Sequence, residues 1–209
     1  MVVANTDVVD MVLCHLEAAF HATLHVRGVY PPELFELRRV LNMPVRISRH
    51  PALKAYVRDA VVSIREAMQL AAVDKVELVL LAKGVEPGAE PSPVERHVFD
   101  FGAALAHAGE QASDDDLEAI ERNLRASLSS VAQLEHRLPA LASETTFAIV
   151  VHTPESNDLS QNDDLTVSAK WLPESSPSSA SHYRETYAVK SFSCSTFRLS
   201  HYVVSIERK

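Results

Sequence analysis

Glycine is scarce in this chain, and its scarcity removes whole classes of chemistry. Five glycines occur among 209 residues, Gly28, Gly84, Gly88, Gly102 and Gly109, and no two stand in a G-x-G or P-loop arrangement. Nucleotide phosphates need backbone amides at close approach, which glycine permits, so a P-loop or dinucleotide-binding turn is excluded. Cysteine is scarcer still. Cys14 and Cys194 are the whole complement, which rules out a disulfide framework and points to a reducing compartment, cytosol or nucleus. Positive charge is also in deficit, with a formal net charge of −8 at pH 7. Duplex DNA binding rests on a basic face that neutralises phosphates. Here Lys and Arg are scattered, and the densest cluster is only Arg38, Arg39, Arg46 and Arg49. Direct binding of nucleic acid is not expected. No apolar run reaches the roughly 18 residues that cross a bilayer, and residues 1–10 carry Asp7 and Asp10 rather than the basic start of a signal peptide. Neither a membrane span nor secretion is expected.

Metal and nucleophile chemistry find equally little support. His21 and His25 stand four apart, a spacing that puts two side chains on one helix face. A zinc site needs three or four ligands, and the segment HATLH lacks the Glu of a zincin motif. The ten histidines therefore read as surface or core residues. No G-x-S-x-G elbow occurs, and Cys14 falls in an apolar helical stripe, where it acts as a small hydrophobe. Neither a catalytic group nor a cofactor is expected, which leaves a binding protein.

Hydrophobic residues make up 46% of the chain and charged ones 23%, the mixture of a soluble globular protein with a core. Over 5–26, Val9, Val12, Leu13, Leu16, Ala19, Phe20 and Leu24 recur at helical spacing, and Gly28 with Tyr30-Pro31-Pro32 ends the helix. Residues 33–47 are mixed, and Pro44 predicts an edge strand or irregular hairpin. A second helix is predicted from Pro51, with Leu53, Tyr56, Val57, Ala60, Val61, Ile64, Ala67, Met68 and Ala71 inward. KVELVLLA (75–82) and residues 94–101 read as strands joined by a Gly/Pro loop. Ser113, followed by Asp114, Asp115 and Asp116, caps a third helix predicted to run unbroken to Pro139. TFAIVVH (146–152) is apolar on both faces, which predicts a central strand. Residues 153–181 turn polar, acidic and Ser/Pro-rich, with only 165–172 strand-like, yet 187–206 recovers strand character. The last third is therefore a long excursion that returns to the sheet, the kind of segment that is usually functional. Trp171, the single tryptophan, lies in that excursion and is either packed or an interface anchor. Tyr56 is either core or contact.

Three stretches carry a family resemblance. VRGVYPPELF (26–35), LNMPVRISRHPALKAYV (41–57) and TFAIVVHTPES (146–156) resemble the HORMA-domain family. The MPV…HPAL pattern resembles the polymerase-zeta accessory type; a spindle or meiotic checkpoint adaptor is the alternative, and behind it a small enzyme of unrecognised type. The resemblance implies an α+β fold, a mainly antiparallel sheet packed against three helices. It implies one domain over 1–209, with a core at 1–152 and a C-terminal safety belt at 153–209. It implies a nuclear, non-catalytic adaptor of translesion DNA synthesis. The belt would wrap a proline-containing peptide of the catalytic subunit of DNA polymerase zeta, which adds a strand to the sheet. Residues matching the family's peptide contacts are Tyr30, Tyr56 and Trp171. A second family surface, for the C-terminal domain of the scaffold translesion polymerase, matches Tyr202, with Thr186 and Ser200 in place of an apolar residue and an amide. An arginine that pairs HORMA subunits matches Arg125, although the sequence alone favours a solvated helix residue there.

Overall fold

A computed structural model describes residues 6–69, 73–83, 90–102, 113–141, 144–153, 183–194 and 198–206. The first helix, α1 (Thr6–Val26), lies at the centre of the molecule. Its predicted stripe is buried, and burial continues around the helix through His15, Ala18, His21, Ala22 and Thr23. A helix covered nearly all round packs against several partners, here α2, α3 and the strands beside them. Cys14, expected in the apolar stripe, is instead exposed with Asp10, because the two stand four residues apart on the one strip of the helix that meets solvent. Gly28 ends α1 at φ +64°. The amide of Val29 bonds the Leu24 carbonyl at 3.0 Å and that of Gly28 the His25 carbonyl at 3.0 Å, a Schellman cap that requires the left-handed residue.

A 3₁₀ turn (Pro32–Leu34) leads into a two-stranded hairpin, β1 (Phe35–Val40) and β2 (Met43–Ser48). Leu41 and Asn42 form its turn with φ of +45° and +64°, the two positive angles of a hairpin that follows strand twist. Helix α2 (Pro51–Gln69) follows. Strands β3 (Lys75–Ala82) and β4 (Ser92–Asp100) pair antiparallel. Helix α3 (Asp114–Ala132) starts with a capping box in which Ser113 and Asp116 each satisfy the other's amide. It does not run to Pro139 as predicted. Gln133 breaks it, with its amide turned back to Ser130 and Val131, and a four-residue helix α4 (Leu134–Arg137) follows. Strand β5 (Thr145–His152) and the C-terminal hairpin β6 (Tyr183–Ser193) and β7 (Arg198–Ile206) complete the sheet.

The main sheet has the order β5-β3-β4-β7-β6, every pair antiparallel. Val76, Leu78, Leu80, Phe99, Leu199 and Val203 join the helices in one apolar cluster. Val79, Val98 and Val204 are buried on the opposite face. Among the described residues the strand predicted to be central, β5, is an edge strand: it pairs with β3 alone, and Ile149 is its only buried residue. Two-sided apolarity reports what the faces of a strand meet, not how many strands pair along its sides. The chain leaving β5 must reach β6 at the far edge, four strand spacings or roughly 19 Å away.

Candidate functional site

Strand β5 presents unpaired backbone amides and carbonyls along one side among the described residues. Natural edges are normally blunted by charge, proline or a bulge. This one reads TTFAIVVH, with no charged residue before His152 and no proline. Beside it stands an aromatic group. Phe147 projects toward the helices, where Tyr30 meets it at 6.2 Å and 80° and Tyr56 at 5.4 Å and 86° between ring centroids and planes. Tyr56 resolves its two readings here: it is 47% exposed, on the rim of α2 rather than in the core. Next to Tyr30 a cavity of about 670 Å³ opens between the end of α1, Leu138, Leu141 and the start of β5. The Lys83–Glu144 pair, 2.9 Å long, lines it, and the Lys83 ammonium holds the Glu144 carboxyl below its ordinary range. Burial raises the pKa of the Tyr30 hydroxyl, so it stays neutral and available as a donor.

The floor of this region is ionic. Arg27, at the end of α1, grips Glu95 of β4 with Nε and Nη2 at 3.0 and 2.9 Å, and its Nη2 also donates to the Pro139 carbonyl at 2.7 Å. His97 Nε2 lies 2.6 Å from the same carboxylate. Burial alone would raise Glu95; His97 and Arg27 together bring it below its ordinary range. Glu77, in the middle of β3, is likewise pushed up by burial but brought down to about 2 by hydrogen bonds from His152 and Arg96. These clusters clamp β3, β4 and β5 to α1 and to the chain after α4, so the open edge rests on a stiff support.

The residues predicted for the second surface also converge. Thr186 stands opposite Val204, and Ser200 and Tyr202 occupy the same face of β7 as Val204, away from the buried Leu199, His201 and Val203. The C-terminal hairpin presents all three on one side of the sheet. It is held from behind by Arg137, which donates to the Ala188 carbonyl at 2.8 Å beside a register shift in β6. Arg125 pairs with Glu121 and donates through Nε to the Leu41 carbonyl at 2.8 Å, fixing the strained hairpin turn to α3. It is more than a solvated arginine. Trp171, the strand-like stretch 165–172 and the rest of 154–182 lie outside the described residues.

Sequence reasoning missed a buried histidine cluster. His15, His97 and His201 come from α1, β4 and β7, and all are fully buried. Ser127 Oγ lies 3.4 Å from both His15 Nε2 and His201 Nδ1, and His201 stacks on Phe99 at 4.0 Å. His21, also buried, finds no partner for either ring nitrogen among the described residues. Burial lowers His15 to about 3; burial and then Lys54 lower His21 to about 4. His201 lies well below its ordinary value through burial, then His97 and His15. No group of three or more His, Cys, Asp or Glu among the described residues is arranged to hold a metal.

No family model matches the chain. It is 36% identical over 155 residues to the mitotic spindle assembly checkpoint protein MAD2B of Homo sapiens, covering 72% of this chain and 68% of that protein. It is 24% identical over 147 residues to DNA polymerase zeta subunit 2 of Drosophila melanogaster, covering 70% of each. Among solved structures it resembles a chain of the mitotic checkpoint complex at TM-score 0.73 and 22% identity, covering 94% of this chain and 97% of that one. C. elegans HTP-2 bound to an HTP-3 closure motif matches at TM-score 0.63 and 14% identity, covering 94% and 85%. Those two likenesses carry the fold.

Proposed function

This chain belongs to the HORMA family of MAD2B and DNA polymerase zeta subunit 2, and from that premise we infer that it is the polymerase-zeta accessory subunit, an adaptor that captures a peptide. The observation that carries the reading is the uncharged edge of β5, unpaired among the described residues, beside Tyr30, Phe147 and Tyr56. A partner segment entering there gains main-chain hydrogen bonds from the edge and side-chain pockets from the aromatics. Rings at this spacing suit proline, whose flat apolar face comes already ordered. The occupant is therefore a proline-containing segment of the polymerase's catalytic subunit. The C-terminal hairpin supports the same reading, because it is docked at the edge opposite β5 and leaves the β5 edge to a ligand. Residues 153–209, Trp171 among them, act as the belt that retains the ligand.

The face bearing Thr186, Ser200 and Tyr202 receives the C-terminal domain of the scaffold translesion polymerase, and Arg125 lies at a pairing surface between HORMA subunits. The work is done in the nucleus and involves no catalysis by this chain. The relatives' names also mention the spindle checkpoint. Capture from nuclear extract separates the two: recovery of the polymerase catalytic chain supports the adaptor reading, and recovery of checkpoint proteins alone overturns it. Because Tyr56 is exposed, Tyr56→Ala leaves the fold intact and speeds release of the polymerase peptide by about tenfold or more. An unchanged dissociation rate in surface plasmon resonance would remove Tyr56 from the site.

A further inference from the structure

Charge is unevenly distributed on this acidic molecule. Residues 35–58 carry Arg38, Arg39, Arg46, Arg49, Lys54 and Arg58 against the single acid Glu36, in a chain of net charge −8. The fold concentrates part of that run. In the β1–β2 hairpin Leu37 stands opposite Arg46 and Arg39 opposite Pro44, so strand alternation sets these four side chains on one face. The other face packs Val40, Met43, Val45 and Ile47 on the core and carries the Glu36–Arg38 pair at its solvent side. At the base of the first face Phe35 and Ser48 are buried, so the exposed part is the half nearer the turn. All four outer residues are exposed, and Leu37 is 59% exposed, more than Tyr56 or Val62. Arg38 is occupied by Glu36 at 2.8 and 2.6 Å. Among the described residues no carboxylate pairs with Arg39, Arg46 or Arg49.

We propose that the outer face of the β1–β2 hairpin docks an acidic peptide segment of a partner protein, setting carboxylates on Arg39 and Arg46 and an apolar side chain on Leu37. The guanidinium fork matches a carboxylate in two parallel hydrogen bonds and sheds water more readily than an ammonium. The negative field of the rest of the molecule repels an acidic ligand elsewhere and leaves this face as its point of entry. Leu37 and Pro44 lie between the arginines, where a peptide gains apolar contact and a phosphate backbone gains none. That favours peptide over nucleic acid. The surface lies on a separate sheet from the β5 edge, so the proposal stands independently of the function inferred above.

Fluorescence anisotropy tests this with the full chain and a labelled peptide of glutamates interrupted by two leucines. Its counterpart carries glutamine at every glutamate. The acidic peptide binds the wild type, weakens as salt rises to roughly 0.3 M, and loses about tenfold or more in affinity to R39E/R46E. Leu37→Ser weakens it too, whereas Arg122→Glu, an exposed change on α3, leaves it unchanged. Circular dichroism checks that each variant is folded, and R39Q/R46Q replaces the charge reversal if that one is not. Four results would overturn the proposal. They are equal affinity of wild type and hairpin variants, equal binding of the glutamine peptide, tighter hairpin-dependent binding of a DNA duplex, and sedimentation showing that R39E/R46E abolishes self-association instead.

Discussion

Acidification from pH 7.5 to pH 5 strikes this fold through histidines that no exposed surface explains. His15, His21 and His201 are fully buried, and burial lowers His15 to about 3, His21 to about 4 and His201 well below its ordinary value. In the unfolded chain each titrates near 6.5. The folded state therefore binds fewer protons than the unfolded state between those values, so stability is complete above pH 6.5 and is lost as pH falls through that window. At pH 5 His15 and His21 each contribute a loss of about 2 kcal/mol, roughly 4 kcal/mol together, and His201 adds to it in the same direction. Set against a total of roughly 5–15 kcal/mol for an ordinary domain, that loss brings the protein close to unfolding while most carboxylates are still ionised. Glu77 acts in a separate and lower window. Its carboxyl, held at about 2, stabilises above about 4.5 and gives that up as pH falls toward 2. Urea titrations followed by circular dichroism at pH 7.5, 6.5, 5.5 and 5.0 measure the slope. His21→Leu isolates one member, because it removes two ring nitrogens that have no partner among the described residues. It raises stability at pH 7.5 by about 1–2 kcal/mol and makes the acid slope shallower by about 2 kcal/mol between pH 7.5 and 5. Stability that changes by less than about 1 kcal/mol between pH 7.5 and 5 would refute the reasoning.

Two further outcomes follow from the same structure. Arg27→Met strands the buried Glu95 carboxylate with only His97 for company and lowers unfolding free energy by roughly 3–5 kcal/mol; a loss below about 1 kcal/mol in denaturant titration would mean that water reaches the pair. Binding of the polymerase peptide tightens the scaffold domain's affinity for the Tyr202 face by about fivefold or more, measured by calorimetry with and without the peptide, and Tyr202→Ala abolishes that binding; identical affinities, or an indifferent Tyr202→Ala, would place the second surface elsewhere.

Much of this protein was legible in its sequence. Periodicity located α1, α2 and β3 to within a residue or two, since the spacing of Leu13, Leu16 and Phe20, or the unbroken KVELVLLA, reports directly which positions avoid water. Ser113 and the three aspartates marked the start of α3 because a cap is a local interaction. The missing glycine motifs limited the chemistry, and three short stretches suggested the family. Periodicity says which face of an element is apolar, but not what covers it. Hence TFAIVVH read as a central strand although it stands at the edge, and Tyr56 sat on an apolar helical face although half of it meets solvent. Only tertiary structure could bring His15 and His201 together at Ser127 with His97 beside His201, or put Thr186, Ser200 and Tyr202 on one face of a hairpin. Only it could send that hairpin to the edge opposite β5, because strand order depends on which long-range pairings win, and no local spacing encodes that competition.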